Sequence, residues 1–527
     1  MKKINQHILY ILLFIGILSS CKIDVKKSQL LATNSIVTTE SGKIAGVLLD
    51  STTQLISYKG IPFAAPPVGD LRWKAPQPAP KWDGVKNCFE YGLSAPQTRL
   101  TKEKMSEDCL FLNVWTTNQN KKKKQPVMVW IHGGGLNGGS GNMGGLDGSN
   151  IAKEGVVYVT INYRLGPWGF LAHPELSAES ENGVSGNYGF LDQIAALKWV
   201  KNNIAAFGGD SNNVTIFGES AGGTSVTSLC ASPMTDGLFH KAIIQSPWLY
   251  GFTTRLAQPN ITHLKKPLAN ALSAENFGKK WVDTYAKKEG DGTLLEKMRA
   301  MDAIDITLNS PYYETRVTID NQFLNNYPEL IFKEGKQKQI PMMIGTTSEE
   351  GNFFMPFIKQ KNHTEFTNTI ANFYKEGANT VAQNYKNDKI KQGISKFITD
   401  SWFLEPARQL IHGAVNSGNK VYQYEFTKAN EARPAFGAIH ASEIVYVFGN
   451  LRKNASDADR ELSKNMMAYW TQFAKTGNPN KEGLNNWPSY DMGSRLYQEL
   501  GTEIKTKNNL RDDECDAINK AKHAVIK

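Results

Sequence analysis

A strand-length apolar run, Val214-Thr215-Ile216-Phe217, leads without a break into Gly218-Glu219-Ser220-Ala221-Gly222, and a helix-forming stretch from Gly222 to Leu229 follows at once. That succession allows few folds. A strand-to-helix turn this sharp leaves no room for side chains two places either side of its apex, hence the glycines. It also lifts the Ser220 hydroxyl clear of the sheet. The pattern G-x-S-x-G recurs by chance, and the strand before it with the helix after it is the context it requires. If Ser220 is a nucleophile, the chain must also hold a base, an acid to orient that base, and donors for an oxyanion.

The surrounding pattern supports an α/β fold with a mostly parallel central sheet flanked by helices. Pro126 to Ile131 and Val156 to Ile161 are short, β-branched apolar runs, the mark of buried strands. Leu191 to Phe207 carries Ile194, Leu197, Trp199, Val200 and Ile204 at helical spacing. Strand, helix, strand in that rhythm predicts parallel strands with crossover helices. Two later strands are expected at Ile340 to Gly345 and Val421 to Phe426. Residues 255 to 310 and 355 to 415 look like helices and polar loops, insertions that cap one end of the sheet. At 527 residues the chain is long for one core, yet no repeat or linker divides it, and a single catalytic domain is expected from residue 35 to residue 515.

The remaining machinery has candidates at strand ends. His132-Gly133-Gly134-Gly135 follows the strand ending at Ile131, where backbone N–H groups can point inward unobstructed; Gly134, Gly135 and Ala221 are the expected oxyanion donors. Acid and base should follow the serine in that order. The strand ending at Gly345 runs into Thr346-Thr347-Ser348-Glu349-Glu350-Gly351, and spacing alone does not separate Glu349 from Glu350 as the acid. His412 and His440 compete as base. His412 falls within an expected helix, Ala407 to Ala414, whereas His440 lies on a loop after a strand and is the better candidate.

The N-terminus reads as a separate device. Lys2 and Lys3, an apolar run from Ile8 to Leu18, and Leu18-Ser19-Ser20-Cys21 form an export signal over residues 1–20 that ends like a bacterial lipobox. Cys21 is the expected lipidation site, residues 22–34 a polar tether, and the exported protein a membrane-anchored lipoprotein on a periplasmic or cell-surface face, or otherwise periplasmic or secreted. In an oxidising compartment Cys88 and Cys109 have the spacing of a local disulfide, the alternative being two unpaired buried thiols. Cys230 and Cys515 have no evident partner. The net charge of +10 is spread along the chain, and nothing resembles a nucleic-acid module. No CxxC or His/Cys cluster points to a metal, and the chemistry requires no cofactor. Oligomeric state is not encoded legibly.

Several segments resemble the type-B carboxylesterases: Tyr58-Lys59-Gly60-Ile61-Pro62-Phe63-Ala64 with Pro66-Pro67-Val68-Gly69, Ser106 to Val114, His132 to Gly135, Asn162-Tyr163-Arg164-Leu165-Gly166, Phe207-Gly208-Gly209-Asp210, Gly218 to Gly223 and Tyr446-Val447-Phe448-Gly449. The likeness spans nearly the whole mature chain. It implies an α/β-hydrolase fold, a small-molecule ester substrate, Ser220 as nucleophile and His440 as base. It also selects Glu350, the Glu directly before Gly351, as the acid. Three positions depart from the family pattern. Ala95-Pro96-Gln97 stands where the family's first cysteine usually lies, Leu136 where an aromatic commonly follows the glycines, and Ala441 where a glycine commonly follows the histidine. Members that serve as adhesion modules lack the nucleophile, so the presence of Ser220, Glu350 and His440 argues for an enzyme. A peptidase or lipase is the closer rival.

Overall fold

The apolar runs of the sequence lie side by side in one sheet. A computed structural model describes residues 35–526 apart from 119–121, 250–252, 256–272, 286–290, 310–312, 314, 375–376, 430 and 432. The export signal, Cys21 and the polar tether fall outside the described residues. The sheet has eleven strands: β1 (Val47–Asp50), β2 (Leu55–Pro62), β3 (Phe111–Thr116), β4 (Gln125–Ile131), β5 (Val157–Ile161), β6 (Gly209–Glu219), β7 (Lys241–Gln245), β8 (Met342–Thr347), β9 (Val421–Phe426), β10 (Leu496–Leu500) and β11 (Ile504–Asn508). Their spatial order is β11-β10-β9-β8-β7-β6-β4-β5-β3-β2-β1. Every pairing from β5 across to β10 is parallel, and the pairings outside that block are antiparallel. This is the α/β-hydrolase architecture, with the parallel block as its centre.

The unbroken apolar runs are explained by burial on both faces. Val127, Val129 and Ile131 of β4 enter one core with Val157, Val159 and Ile161 of β5, while Met128, Trp130 and Tyr158 enter the other. Helix α1 (Tyr188–Asn203), helix α2 (Ala221–Ala231) and a later helix, α4 (Glu405–Asn416), cover the first face through Ile194, Leu197, Val226, Leu229, Leu410 and Ile411. Helix α5 (Asp457–Thr476) covers the second with Leu462, Met466, Trp470 and Phe473. The short helix α3 (Glu350–Phe354) follows β8 directly. Strand β6 is longer than its apolar run because the polar stretch Asp210 to Asn213 continues the extended backbone.

The two regions expected as insertions form helices of their own. Ala274–Tyr285, Leu294–Ala300 and Ala303–Asn309 pack around Trp73, Trp168 and Trp281. His363–Tyr374, Ala378–Gln383, Ile390–Ile398 and a π-helical turn over Thr399–Leu404 pack around Tyr385 and Phe397. No helix among the described residues is long and apolar enough to cross a membrane.

One expectation is corrected. Cys88 and Cys109 are not bridged; both are free and buried in the apolar core, as are Cys230 and Cys515 outside that pair. Burial pushes the Cys88 thiol up to about 12 and the Cys109 thiol further above its ordinary range. Each sulfur therefore stays protonated and behaves as a small apolar side chain.

Candidate active site

Parallel register brings the functional loops together. Ile131 of β4 pairs with Gly218 of β6, Gly218 pairs with Ile244 of β7, and Thr347 of β8 pairs with Phe426 of β9. Neighbouring carboxyl ends thus deliver the glycine loop, Ser220, the acid-bearing turn and the loop to His440 to one crevice, where open α/β sheets place their sites.

Ser220 occupies the apex of the turn at φ 59°, ψ −123°, a strained conformation for a residue with a Cβ. Its N–H donates to the Gln245 carbonyl at 3.0 Å, which ties the apex to β7. The flanking glycines are required by contact: a Cβ on Gly222 would lie 2.1 Å from the Ile131 carbonyl oxygen, and one on Gly218 2.5 Å from the same atom. Ala221 starts helix α2, so its N–H points out of a helix N-terminus. Gly134 and Gly135 take φ of 106° and 66°, in the left-handed region open to glycine. Among the described residues no acceptor takes the N–H of Gly134, Gly135 or Ala221. The loop is braced from behind, where the Tyr163 hydroxyl donates to the His132 carbonyl at 2.8 Å and the two rings stack at 4.3 Å. Burial pushes His132 down to about 4, so its ring is neutral and serves as a brace.

His440 and Glu350 meet. His440 Nδ1 donates to Glu350 Oε2 at 2.5 Å, and the Glu350 side chain is fully buried. The other Glu350 oxygen, Oε1, accepts from the Thr347 N–H at 2.9 Å and from the Ser246 hydroxyl at 2.5 Å. The His440 ring packs against Phe403, Phe354 and Phe353, with centroids at 4.8, 5.4 and 5.6 Å. His412, the rival base, sits on α4 and bonds the Tyr490 hydroxyl at 3.0 Å. Burial, aided by Arg408 and Arg495, pushes it down to about 4. Glu349, the rival acid, contacts the backbone of the loop carrying His440 rather than its ring.

Motif reasoning passed over two residues, Glu219 and Glu443. Glu219, the variable position in Gly218 to Gly222, has Oε1 3.2 Å from His440 Nε2. The approach is a charge contact and not a hydrogen bond: Glu219 Oε1 is buried and takes no hydrogen bond among the described residues. Burial pushes Glu219 up to about 8. Burial opposes the charged form of His440, but the carboxylates of Glu219 and Glu350 outweigh it and push the ring up to about 9. Behind them Glu443 is fully buried, accepts from Gln245 Nε2 at 3.0 Å, and is pushed up to about 7 by burial and Glu350. The signal for Glu219 was its place beside Ser220; nothing local marked Glu443.

A buried His–Glu pair beside a strained serine and unpaired loop N–H groups is equipped for acyl transfer. Comparison with known proteins agrees. The model of the "Carboxylesterase family" matches residues 33–518. The para-nitrobenzyl esterase of Bacillus subtilis (strain 168) is 36% identical over 500 residues, covering 90% of this chain and 97% of that protein. The fumonisin B1 esterase of Sphingopyxis macrogoltabida is 35% identical over 496 residues, 90% of this chain and 87% of its own. The liver carboxylesterase 1F of Rattus norvegicus is 34% identical over 531 residues, 91% of this chain and 92% of that one. A solved structure of PNB esterase superposes with a TM-score of 0.79 at 34% identity, over 92% of this chain and all of that one.

Proposed function

The chain belongs to the carboxylesterase family and is a carboxylic ester hydrolase, and from that premise we propose that it works through an acyl-enzyme on Ser220 with His440 as base and Glu350 as its orienting acid. The observation that carries this reading is the buried Glu350–His440 contact directly beside the residue preceding Ser220. His440 Nε2 takes the proton of Ser220 as Oγ attacks the ester carbonyl. The new imidazolium is stabilised by Glu350, whose second oxygen is held by Thr347 and Ser246. The N–H groups of Gly134, Gly135 and Ala221 take the oxyanion. His440 then protonates the leaving alcohol, and water repeats the sequence on the acyl-enzyme.

Glu219 sets the starting condition for that sequence. Its carboxylate favours the imidazolium, so the ring must give up that proton before Nε2 can accept one from Ser220. The aromatic wall of Phe353, Phe354 and Phe403, extended by the Trp248–Trp402 stack at 5.4 Å, favours esters with an apolar group next to the scissile bond. One catalytic domain over residues 35–515 accounts for the sheet, since its first and last strands lie at opposite ends of that span. We further infer a chain exported by residues 1–20 and tethered through lipidated Cys21, with residues 22–34 as spacer; palmitate labelling of the wild type and Cys21→Ser, compared in membrane and soluble fractions, tests it.

Replacing Ser220 by Ala tests the mechanism. Turnover of short p-nitrophenyl esters should fall by on the order of 10⁶, and retained turnover would remove Ser220 from the reaction. A panel of p-nitrophenyl esters of rising chain length, run beside amide and triglyceride substrates, separates an esterase from a peptidase or lipase.

A further inference from the structure

Glu349 takes no part in the sequence above, although it adjoins the proposed acid. Its surroundings give it a distinct task. The loop from β9 to His440 is exposed over its middle, at Arg433 to Phe436, and turns inward at Ala438, which is fully buried. At that crossing point the Glu349 N–H donates to the Ala438 carbonyl at 3.1 Å, and the Ala438 N–H donates to Glu349 Oε2 at 2.8 Å. The Ser348 hydroxyl donates to the same Oε2 and fixes the side chain from the other side. Gly437 shows how closely the carboxyl lies on the loop: its φ is 68°, and a Cβ there would lie 2.8 Å from Glu349 Cγ, Cδ and Oε2. One turn further on, Asn352 Nδ2 donates to the Phe436 carbonyl at 2.9 Å.

We propose that Glu349 is a positioning residue whose carboxylate and backbone clamp the loop at Ala438, two residues before His440, and so set the imidazole against Glu350. The proposal rests on the assignment of His440 and Glu350 made above. Both ends of the His440–Glu350 contact are tied to one short turn: Glu350 belongs to it, and the loop bearing His440 is bonded to Glu349 in it. The turn is therefore a jig that fixes acid and base relative to each other, whatever the exposed part of the loop does. What the clamp needs from residue 349 is an acceptor oxygen at the reach of a glutamate. Charge is not part of the requirement, so glutamine satisfies it and alanine does not.

The test compares Glu349→Ala, Glu349→Gln and His440→Ala with the wild type on p-nitrophenyl acetate. Active sites are counted by end-point titration with a fluorophosphonate, so that loss of folded protein is not read as loss of rate; His440→Ala is referred to folded protein. Glu349→Ala should lower kcat per titrated site about 10–100-fold, with KM changed less than about threefold. Its acidic pH limb should move down, because a ring drawn away from Glu350 loses a carboxylate that favours imidazolium. Glu349→Gln should restore kcat and the limb to near wild type. Unchanged kcat per site in Glu349→Ala overturns the clamp, as does a lower kcat with an unmoved limb. A loss in Glu349→Gln equal to that in Glu349→Ala overturns it too, since charge would then be what matters. Turnover retained by His440→Ala removes the underlying assignment and the clamp together. Abolished turnover there with unaffected Glu349→Ala defeats the clamp alone.

Discussion

Replacing Glu219 by Gln should move the acidic limb of the pH–rate profile downward. In the proposed mechanism His440 must be neutral to take the proton of Ser220, so activity should be lost as pH falls through the pKa of His440. Glu219 Oε1 lies 3.2 Å from Nε2. At that separation and an effective dielectric constant of about 20, a full carboxylate charge favours the imidazolium by about 5 kcal/mol, an upper limit of about 4 pKa units. Burial pushes Glu219 itself up to about 8. Below that pH it carries its charge only part of the time, and the realised contribution falls to about 1–3 units. Glutamine keeps the shape and removes the charge, so the limb of kcat/KM should drop by that amount. The assay is kcat/KM on a p-nitrophenyl ester between pH 5 and pH 10, each enzyme normalised to its own plateau. The variant should retain a larger fraction of its plateau at pH 6 than the wild type does. A limb that stays in place, or moves up, would refute the assignment of Glu219 as the group that holds His440 in its charged form.

Three further outcomes follow from the packing. Arg164 and Asp192 form a bidentate ion pair whose side chains are 3% and 0% exposed; Asp192→Ala leaves a buried guanidinium without its partner and should cost about 3–5 kcal/mol in a urea titration. Ala441, directly after His440, holds φ at 67°, so Ala441→Gly should raise stability by about 0.5–1 kcal/mol, the left-handed strain relieved net of the entropy that glycine adds to the unfolded chain. Gly222→Ala places a methyl 2.1 Å from the Ile131 carbonyl, and the resulting shift of the turn should lower kcat by at least about 100-fold while circular dichroism stays native-like.

What the sequence made legible followed local physics. The runs at 126–131 and 156–161 announced themselves because strands buried on both faces are apolar at nearly every position, and the turn at Ser220 because only glycines fit around it. The choice between His412 and His440 was also local, one being on a helix and the other on a loop. Glu349 and Glu350 were different. Both end the same strand one residue apart, and periodicity does not tell which carboxyl reaches a ring 90 positions away. Glu443 was illegible for the same reason: its place behind Glu219 is made by packing between segments distant in the chain. The cysteines misled because spacing in sequence says nothing about direction in space, and Cys88 and Cys109 enter the core as separate apolar side chains.

Those unbridged sulfurs also make the molecule its own unfolding reporter. Cys88, Cys109, Cys230 and Cys515 are each at most 1% exposed, and burial raises every one of their thiols above its ordinary range. At these four positions a cysteine reagent at neutral pH meets almost no reactive thiolate in the native state, so their modification reports only molecules that have opened. The four positions sample different parts of the structure, with Cys230 in the helix that follows Ser220 and Cys515 within the helix Asp512–Ile526. The order in which they are modified would therefore map which part of the fold comes apart first.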